Sequence, residues 1–329
     1  MSEIHKFLFE GLPVRGVLVR LTDAWTETLR RHALGSATGA YAKPVQKLLG
    51  EMLAAVTLMQ ANIKFNGSLL LQIFGDGPVK LAVAEVQPDF GLRATATVIG
   101  DIASTATLSG LVNVNSGGRC AITLDPKDRF PGQQAYQGVV PLSGDAHEKI
   151  ESLSEILEHY MLVSEQLDTT LVLAADDRIA AGLLIQRLPL EGAGNLARGV
   201  GSVPNEGQAG VNEDYKRIAM LASSLKAEEL LTLDVDTVLR RLFWQENILR
   251  FATAVGDPVP HFSCTCSRER VEKMIFGLGP AEAQSILAER GEVEVGCEFC
   301  GARQHFDAID VAQIFQATLK VATAGPALH

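Results

Sequence analysis

No apolar run in the sequence approaches the roughly 20 residues that a membrane-spanning helix needs. The longest, around Leu53 to Met59 and Leu171 to Ala175, fall far short. Excess positive charge is also missing: 29 basic side chains stand against 39 acidic ones, a net charge of −10. The chain as a whole therefore repels nucleic acid and anionic membranes. The first twenty residues mix acids, bases and a Gly-Leu-Pro turn, so no export signal is expected and the protein is expected in the cytoplasm. Neither G-x-G-x-x-G nor G-x-x-x-x-G-K-[ST] occurs, and neither G-x-S-x-G nor H-E-x-x-H, so no nucleotide cradle or hydrolase signature is on offer. Cysteine is scarce too. Five residues in a cytosolic chain of 329 do not make a disulfide framework, and their spacing must be explained by chemistry or metal.

What is present reads as globular. Hydrophobic residues make up 47% and charged residues 21%, and the length suits two domains, or one large domain with a small appendage. Phe7 to Leu21 reads as strand, turn, strand, followed by a helix that Thr22 or Asp23 can cap. A longer helix begins at Pro44 and runs to about Ile63, with Val45, Leu48, Leu49, Met52, Leu53 and Val56 on one broad apolar face that calls for a sheet. Two apolar runs around Gly75-Asp-Gly-Pro78 predict a hairpin. Further short strands are expected at Leu92 to Ile99, Leu111 to Val114, Cys120 to Leu124, Tyr136 to Val140 and Thr169 to Ala175, with a helix over Ala146 to Glu165. The expected class is α+β with a mainly antiparallel sheet core.

Between Glu191 and Gly210 six glycines fall in twenty residues, which marks a boundary. Beyond it Asn212 to Leu225, Ala227 to Leu231 and Val235 to Phe243 form short amphipathic helical stretches. The expected organisation is a core over residues 1–192, a Gly-rich junction and helical linker over 193–258, and a metal module over 259–329. The linker helices, with apolar positions Ile218, Leu221, Leu225, Leu230, Leu231, Leu239, Leu242 and Phe243, are too short to be stable alone and must lean on a neighbour.

Cys264-Thr-Cys266 is followed after thirty residues by Cys297-Glu-Phe-Cys300. Two close pairs joined by a short insert can surround a tetrahedral ion with four thiolates; zinc is favoured, with iron–sulfur ligation the other option. Within the insert, Val271, Met274, Ile275 and Leu278 mark one helix, Ala283, Ile286 and Leu287 a second started by Pro280, and Glu292 to Val295 a strand. So small a core should depend on its metal. A complete shell of sulfur leaves no site for a catalytic water, and no enzymatic activity is expected. His261 and His305 are expected outside the ligand set, and Cys120 as a buried core thiol without a role. The ordinary reading of four such cysteines is a permanent structural zinc site. Yet each pair could also close on itself, and two disulfides would strip all four ligands from the ion.

These residues and their flanks resemble the redox-regulated thirty-three-kilodalton heat-shock chaperone family of bacteria. The resemblance rests on Cys264-Thr-Cys266-Ser-Arg-Glu-Arg, Ser285-Ile-Leu-Ala-Glu, Gly291-Glu, Cys297-Glu-Phe-Cys300 and Phe306. It extends to Glu228-Glu-Leu-Leu-Thr-Leu233, Arg241-Leu-Phe, Tyr136-Gln-Gly-Val-Val140, His159-Tyr160, Ser164-Glu-Gln-Leu167 and Gly75-Asp-Gly-Pro78. It implies a zinc-bound, reduced and inactive form with Cys264, Cys266, Cys297 and Cys300 as ligands. Oxidation would join Cys264 to Cys266 and Cys297 to Cys300, release zinc and unfold the linker. The activated protein, commonly a homodimer, would hold unfolding clients without ATP. Two other readings compete. A nucleic-acid-binding zinc ribbon is disfavoured by charge, since residues 261–329 carry six basic and nine acidic side chains. A thiol–disulfide oxidoreductase using Cys297 and Cys300 lacks a thioredoxin-like βαβ context.

Overall fold

The computed structural model describes residues 1–36, 39–130, 132–144, 148–189, 206–252 and 256–323. The chain divides into two units, residues 1–29 with 41–263 and residues 30–40 with 264–329. The first unit opens with the hairpin β1 (Glu3–Phe9) and β2 (Val14–Leu21), after which α1 (Asp23–Gly35) begins in the first unit and ends in the second. Then come α2 (Lys43–Asn62), β3 (Gly67–Phe74), β4 (Val79–Val86), β5 (Gly91–Val98), α3 (Leu108–Val112), β6 (Arg119–Pro126), β7 (Tyr136–Pro141), α4 (Leu153–Val163), β8 (Thr169–Ala175) and β9 (Ala180–Arg187). Three helices follow, α5 (Glu206–Ser223), α6 (Ala227–Thr232) and α7 (Val235–Leu242), and the unit closes with β10 (Ile248–Arg250) and β11 (His261–Phe262). The class is α+β. One sheet runs β10-β1-β2-β9-β8, antiparallel throughout; the other runs β11-β5-β4-β3-β6-β7, antiparallel except for the β11–β5 pair.

The apolar face of α2 has a sheet for a partner, as its periodicity requires, but it has two. From Leu48 to Asn62 every residue of the helix except Glu51 is buried, among side chains of both sheets. A helix clad on all sides is apolar around its circumference, which the stretch from Leu53 to Met59 satisfies. Cys120 lies on β6 with no exposed surface, a core thiol as expected.

The first sheet is also buried on both faces. On β2, Val17, Val19 and Leu21 join the core around α2, whereas Val14 and Leu18 face the other way. There they meet Phe7, Phe9, Leu183 and Ile185 beneath α5, α6 and α7, which contribute Ile218, Leu225, Leu230, Val235, Val238, Leu239, Leu242 and Phe243. Phe7 pairs across the strands with Gly16, and its ring fills the space that a side chain at Gly16 would need. The linker helices thus lean on the sheet of their own unit.

Two expectations are corrected, and a third falls mostly outside the described residues. Residues 111–114 are not a strand: Leu111 and Val112 end α3, because the Thr107 hydroxyl accepts the Gly110 N–H and the Glu151 carboxylate accepts the Ser109 N–H, together capping a helix. The helix expected from Ala146 starts only at Leu153, since Lys149 bridges to Ser143 and the Ile150 N–H donates to the Leu142 carbonyl at 3.3 Å; residues 145–147 lie outside the described residues. The Gly-rich boundary from Glu191 to Gly210 lies outside them as far as Asn205, and its last residues already belong to α5.

The second unit contains α8 (Arg268–Leu278), α9 (Pro280–Arg290), the ribbon β12 (Val293–Gly296) and β13 (Arg303–Phe306), and α10 (Ala308–Thr323). Its core consists of Ile275, Ala283, Val293, Phe306 and Val311, with Val271, Ile286 and Leu287 packed partly buried against it. Met274 and Leu278, expected in that core, are about half exposed at 48% and 50%. The face of α8 that meets the core is only wide enough for Ile275 and part of Val271.

Candidate metal centre

Each cysteine pair is fixed by the turn that carries it. Cys264 and Cys266 precede α8, whose first turn is capped by the Ser267 hydroxyl accepting the Arg270 N–H at 3.3 Å. Arg270 reaches back to the Thr265 carbonyl at 3.1 Å and its hydroxyl at 2.6 Å, holding the residue between the two thiols. Cys297 and Cys300 sit on the turn of the β12–β13 ribbon. The Cys297 N–H donates to the Ala302 carbonyl at 2.9 Å and the Gly301 N–H to the Cys297 carbonyl at 2.8 Å. Gly301 has φ +68°, the left-handed conformation that closes this turn without a Cβ in the way.

The four Sγ atoms lie within 4.8 Å of one another. Cys264 lies 3.6 Å from Cys297 and Cys266 3.3 Å from Cys300, sulfur to sulfur, and none of the four is in a disulfide. Zinc–sulfur bonds of about 2.3 Å imply tetrahedron edges of about 3.8 Å. The cluster therefore has the size and the donor chemistry for a soft tetrahedral ion, and these four cysteines could bind one. Without positive charge the sulfurs cannot all ionise. The thiol of Cys297, followed by burial, sets the balance at Cys264, where the hydrogen bond prevails and pulls the thiol down to about 4. Burial and neighbouring sulfurs push Cys266 up to about 12, and the hydrogen bond to Cys264 pushes Cys297 up. The cage holds one thiolate readily and resists the next, an electrostatic demand that a divalent cation meets.

The surrounding side chains stiffen the site. The Arg268 guanidinium lies 4.2 Å from the Phe306 ring centroid while donating to the His305 carbonyl at 3.0 Å and to Asp310 at 2.8 Å. His305 is engaged with Glu292 at 3.1 Å, and His261 with the Val259 carbonyl at 3.0 Å. Glu292, Glu294 and His305 form a second group of possible donors, but all three are exposed and Glu294 is ion-paired with Arg303 at 2.9 Å.

A second apolar surface, built from residues other than the cysteines, was also written in the sequence. The sheet face beneath α5 to α7 is as apolar as the face beneath α2. Its signal was the unbroken run Ala180-Ala-Gly-Leu-Leu-Ile185, since a strand with only one buried face would alternate. Arg20, on that same face, was not singled out either.

A thiol cluster on a small module is carried in one chain with an α+β core whose apolar sheet is covered by helices, and comparison with known proteins gives the class, a heat-shock chaperone. A family model described as Hsp33 protein matches residues 2–307. A 33 kDa chaperonin of Chromobacterium violaceum is 43% identical over 328 residues, covering 100% of this chain and 98% of the relative. One of Methylobacillus flagellatus is 38% identical, covering 95% and 94%. The crystal structure of a 33 kDa chaperonin from Thermotoga maritima superposes with a TM-score of 0.69 at 19% identity, over 96% of this chain and 99% of that one, a likeness of fold. The chain belongs to the Hsp33 family.

Proposed function

We propose that the protein is a redox-regulated, ATP-independent holdase that keeps its client-binding surface covered while its thiols are reduced. The observation that carries this reading is the second apolar face of the first sheet, Phe7, Phe9, Val14, Leu18, Leu183 and Ile185, covered by helices of which α6 and α7 span six and eight residues. Isolated helices under about 12 to 15 residues are marginal in water, so this cover holds only while it is packed. Uncovered, the face would be a contiguous apolar patch of the kind that captures unfolded chains.

Cys264, Cys266, Cys297 and Cys300 would hold one zinc ion, which would supply the clasp for a module whose core, among the described residues, has five buried apolar side chains. Peroxide would take two electrons from each of Cys264 with Cys266 and Cys297 with Cys300. In each pair one thiol reacts with peroxide to give a sulfenic acid and water, and the second thiolate attacks that sulfur to close the disulfide and expel hydroxide, which takes a proton from solvent to become water. All four sulfurs then leave the ligand set. Because Ser263 pairs with β5 through Leu92 and is followed directly by Cys264, slackening of the module would be passed along the chain into β11 and the linker. In this reading the three parts are the core (1–192), the linker (193–258) and the switch (259–329), the active form pairs with a second copy, and the protein works in the cytoplasm.

The test is to oxidise the reduced, metal-loaded protein with peroxide under mild heat while following zinc content, free thiols, disulfide mapping and suppression of client aggregation. Thiol loss at the four clustered cysteines, metal loss and client holding should rise together, with Cys120 untouched because burial pushes its thiol up to about 12. Equal client holding by the reduced and oxidised forms refutes the gating. Cys264 and Cys297 are also close, 3.6 Å between sulfurs, so a product crosslinked Cys264 to Cys297 would refute the proposed pairing.

A further inference from the structure

Along one margin the cover on the first sheet is held by charge. There β1 and β2 place Glu3 directly opposite Arg20, both on the face that meets α5 to α7. Arg20 is nearly buried, with 12% of its side chain exposed, and its guanidinium is aimed at the end of α6. Nη1 donates to the Leu230 carbonyl at 3.2 Å and also to the Leu233 carbonyl, and Nη2 donates to the Leu231 carbonyl at 3.3 Å. Leu230 and Leu231 belong to the last turn of α6, whose carbonyls have no partner within the helix and carry the negative end of its dipole. Glu3 holds the guanidinium from behind, with Oε1 3.7 Å from Nε.

We infer that Arg20 is the polar clasp that fixes the linker to the core: a forked cation on β2 that terminates α6 and so determines whether the linker helices stay down. The planar guanidinium is suited to this, because it presents several donors at once in a fixed fork. A second contact is arranged likewise at α7, where Arg250 of β10 pairs with Asp236 and lies 2.8 Å from Nδ1 of His5, whose Nε2 is 2.9 Å from Glu3. That contact is more exposed, with Asp236 at 63%, so screening weakens it and Arg20 carries the larger share. The consequence for client capture rests on the holdase reading above; the contact itself does not.

The test uses the full-length, reduced and metal-loaded protein with Arg20→Met, which keeps the aliphatic stem and removes the donors. Hydrogen exchange over residues 206–243, and tryptic cleavage at Lys226, Arg240 and Arg241, should speed up about tenfold or more. Amides of β1, β2 and β9, the free-thiol count and the zinc content should match wild type. Arg20→Lys should restore part of the protection, since an ammonium can meet a single carbonyl but cannot fork across three; should Arg20→Met fail to fold, Arg20→Lys carries the test by itself. Unchanged protection over 206–243 overturns the assignment, and so does equal loss of protection in the strands, which would make Arg20 a sheet residue and nothing more. Client holding by the reduced variant separates the two claims. A loosened linker that holds no client leaves the clasp standing and refutes the holdase reading.

Discussion

The two units meet the same physical requirement by opposite means. The first surrounds α2 with two sheets and buries dozens of apolar side chains, so its fold rests on packing that no single reagent can remove. The second has, among the described residues, a core of five buried apolar side chains beside its four sulfurs. A core that small adds little stability for a module of its length, and an ion bound by the four sulfurs would supply the difference. Stability that is distributed resists oxidants; stability concentrated in four thiolates is open to them. The contrast explains how one chain can contain a durable part and a conditional part.

The contrast can be broken most directly by taking away the ion. A chelator, or replacement of the four cysteines by serine, should cost the second unit on the order of 10 to 16 kcal/mol of metal-derived stability. Hydrogen exchange should show residues 264–316 losing protection while α2 and β3 to β6 keep theirs. Protection retained throughout would mean that the five-residue core suffices. A smaller effect comes from Phe306→Ala, expected to cost about 3 to 5 kcal/mol and to remove the ring on which Arg268 stacks. Measured as zinc affinity, that loss should weaken binding, whereas Leu53→Ala in the first unit should lower thermal stability and leave affinity unchanged. The smallest is a titration confined to the first unit. Burial holds the Glu51 carboxyl up at about 7, against an ordinary value of 4.5, although Lys47 Nζ is 3.8 Å away. Its folded value is raised, so the stability it contributes is complete below about pH 4.5 and is lost as the pH rises through 7. Glu51→Gln should therefore match wild type near pH 4 and be more stable by about 2 to 3 kcal/mol at pH 8, as urea unfolding of the first unit would report.

Much of this arrangement was legible in the residues. The β3–β4 hairpin, the short linker helices, the two-helix insert and the four sulfurs follow from turn composition, periodicity and spacing, which are local properties. What escaped was non-local. Nothing near Val45 to Val56 says that a second sheet will close over the back of α2. The strand expected at Leu111 became the end of a helix because Glu151, forty residues away, satisfies its first turn. The sulfur cluster could be named in advance because four like ligands point to one chemistry. Arg20 could not, because a single arginine on a strand has no meaning until the carbonyls it serves are brought to it.

Alternate side chains of β2 belong to two different cores. Neighbouring codons along this strand are therefore answerable to separate trials: one set to the packing around α2, the other to the seat of α5 to α7. In a holdase of the proposed kind, evolution could retune the alarm threshold by drifting along every second position, without weakening the structure that has to outlast the alarm.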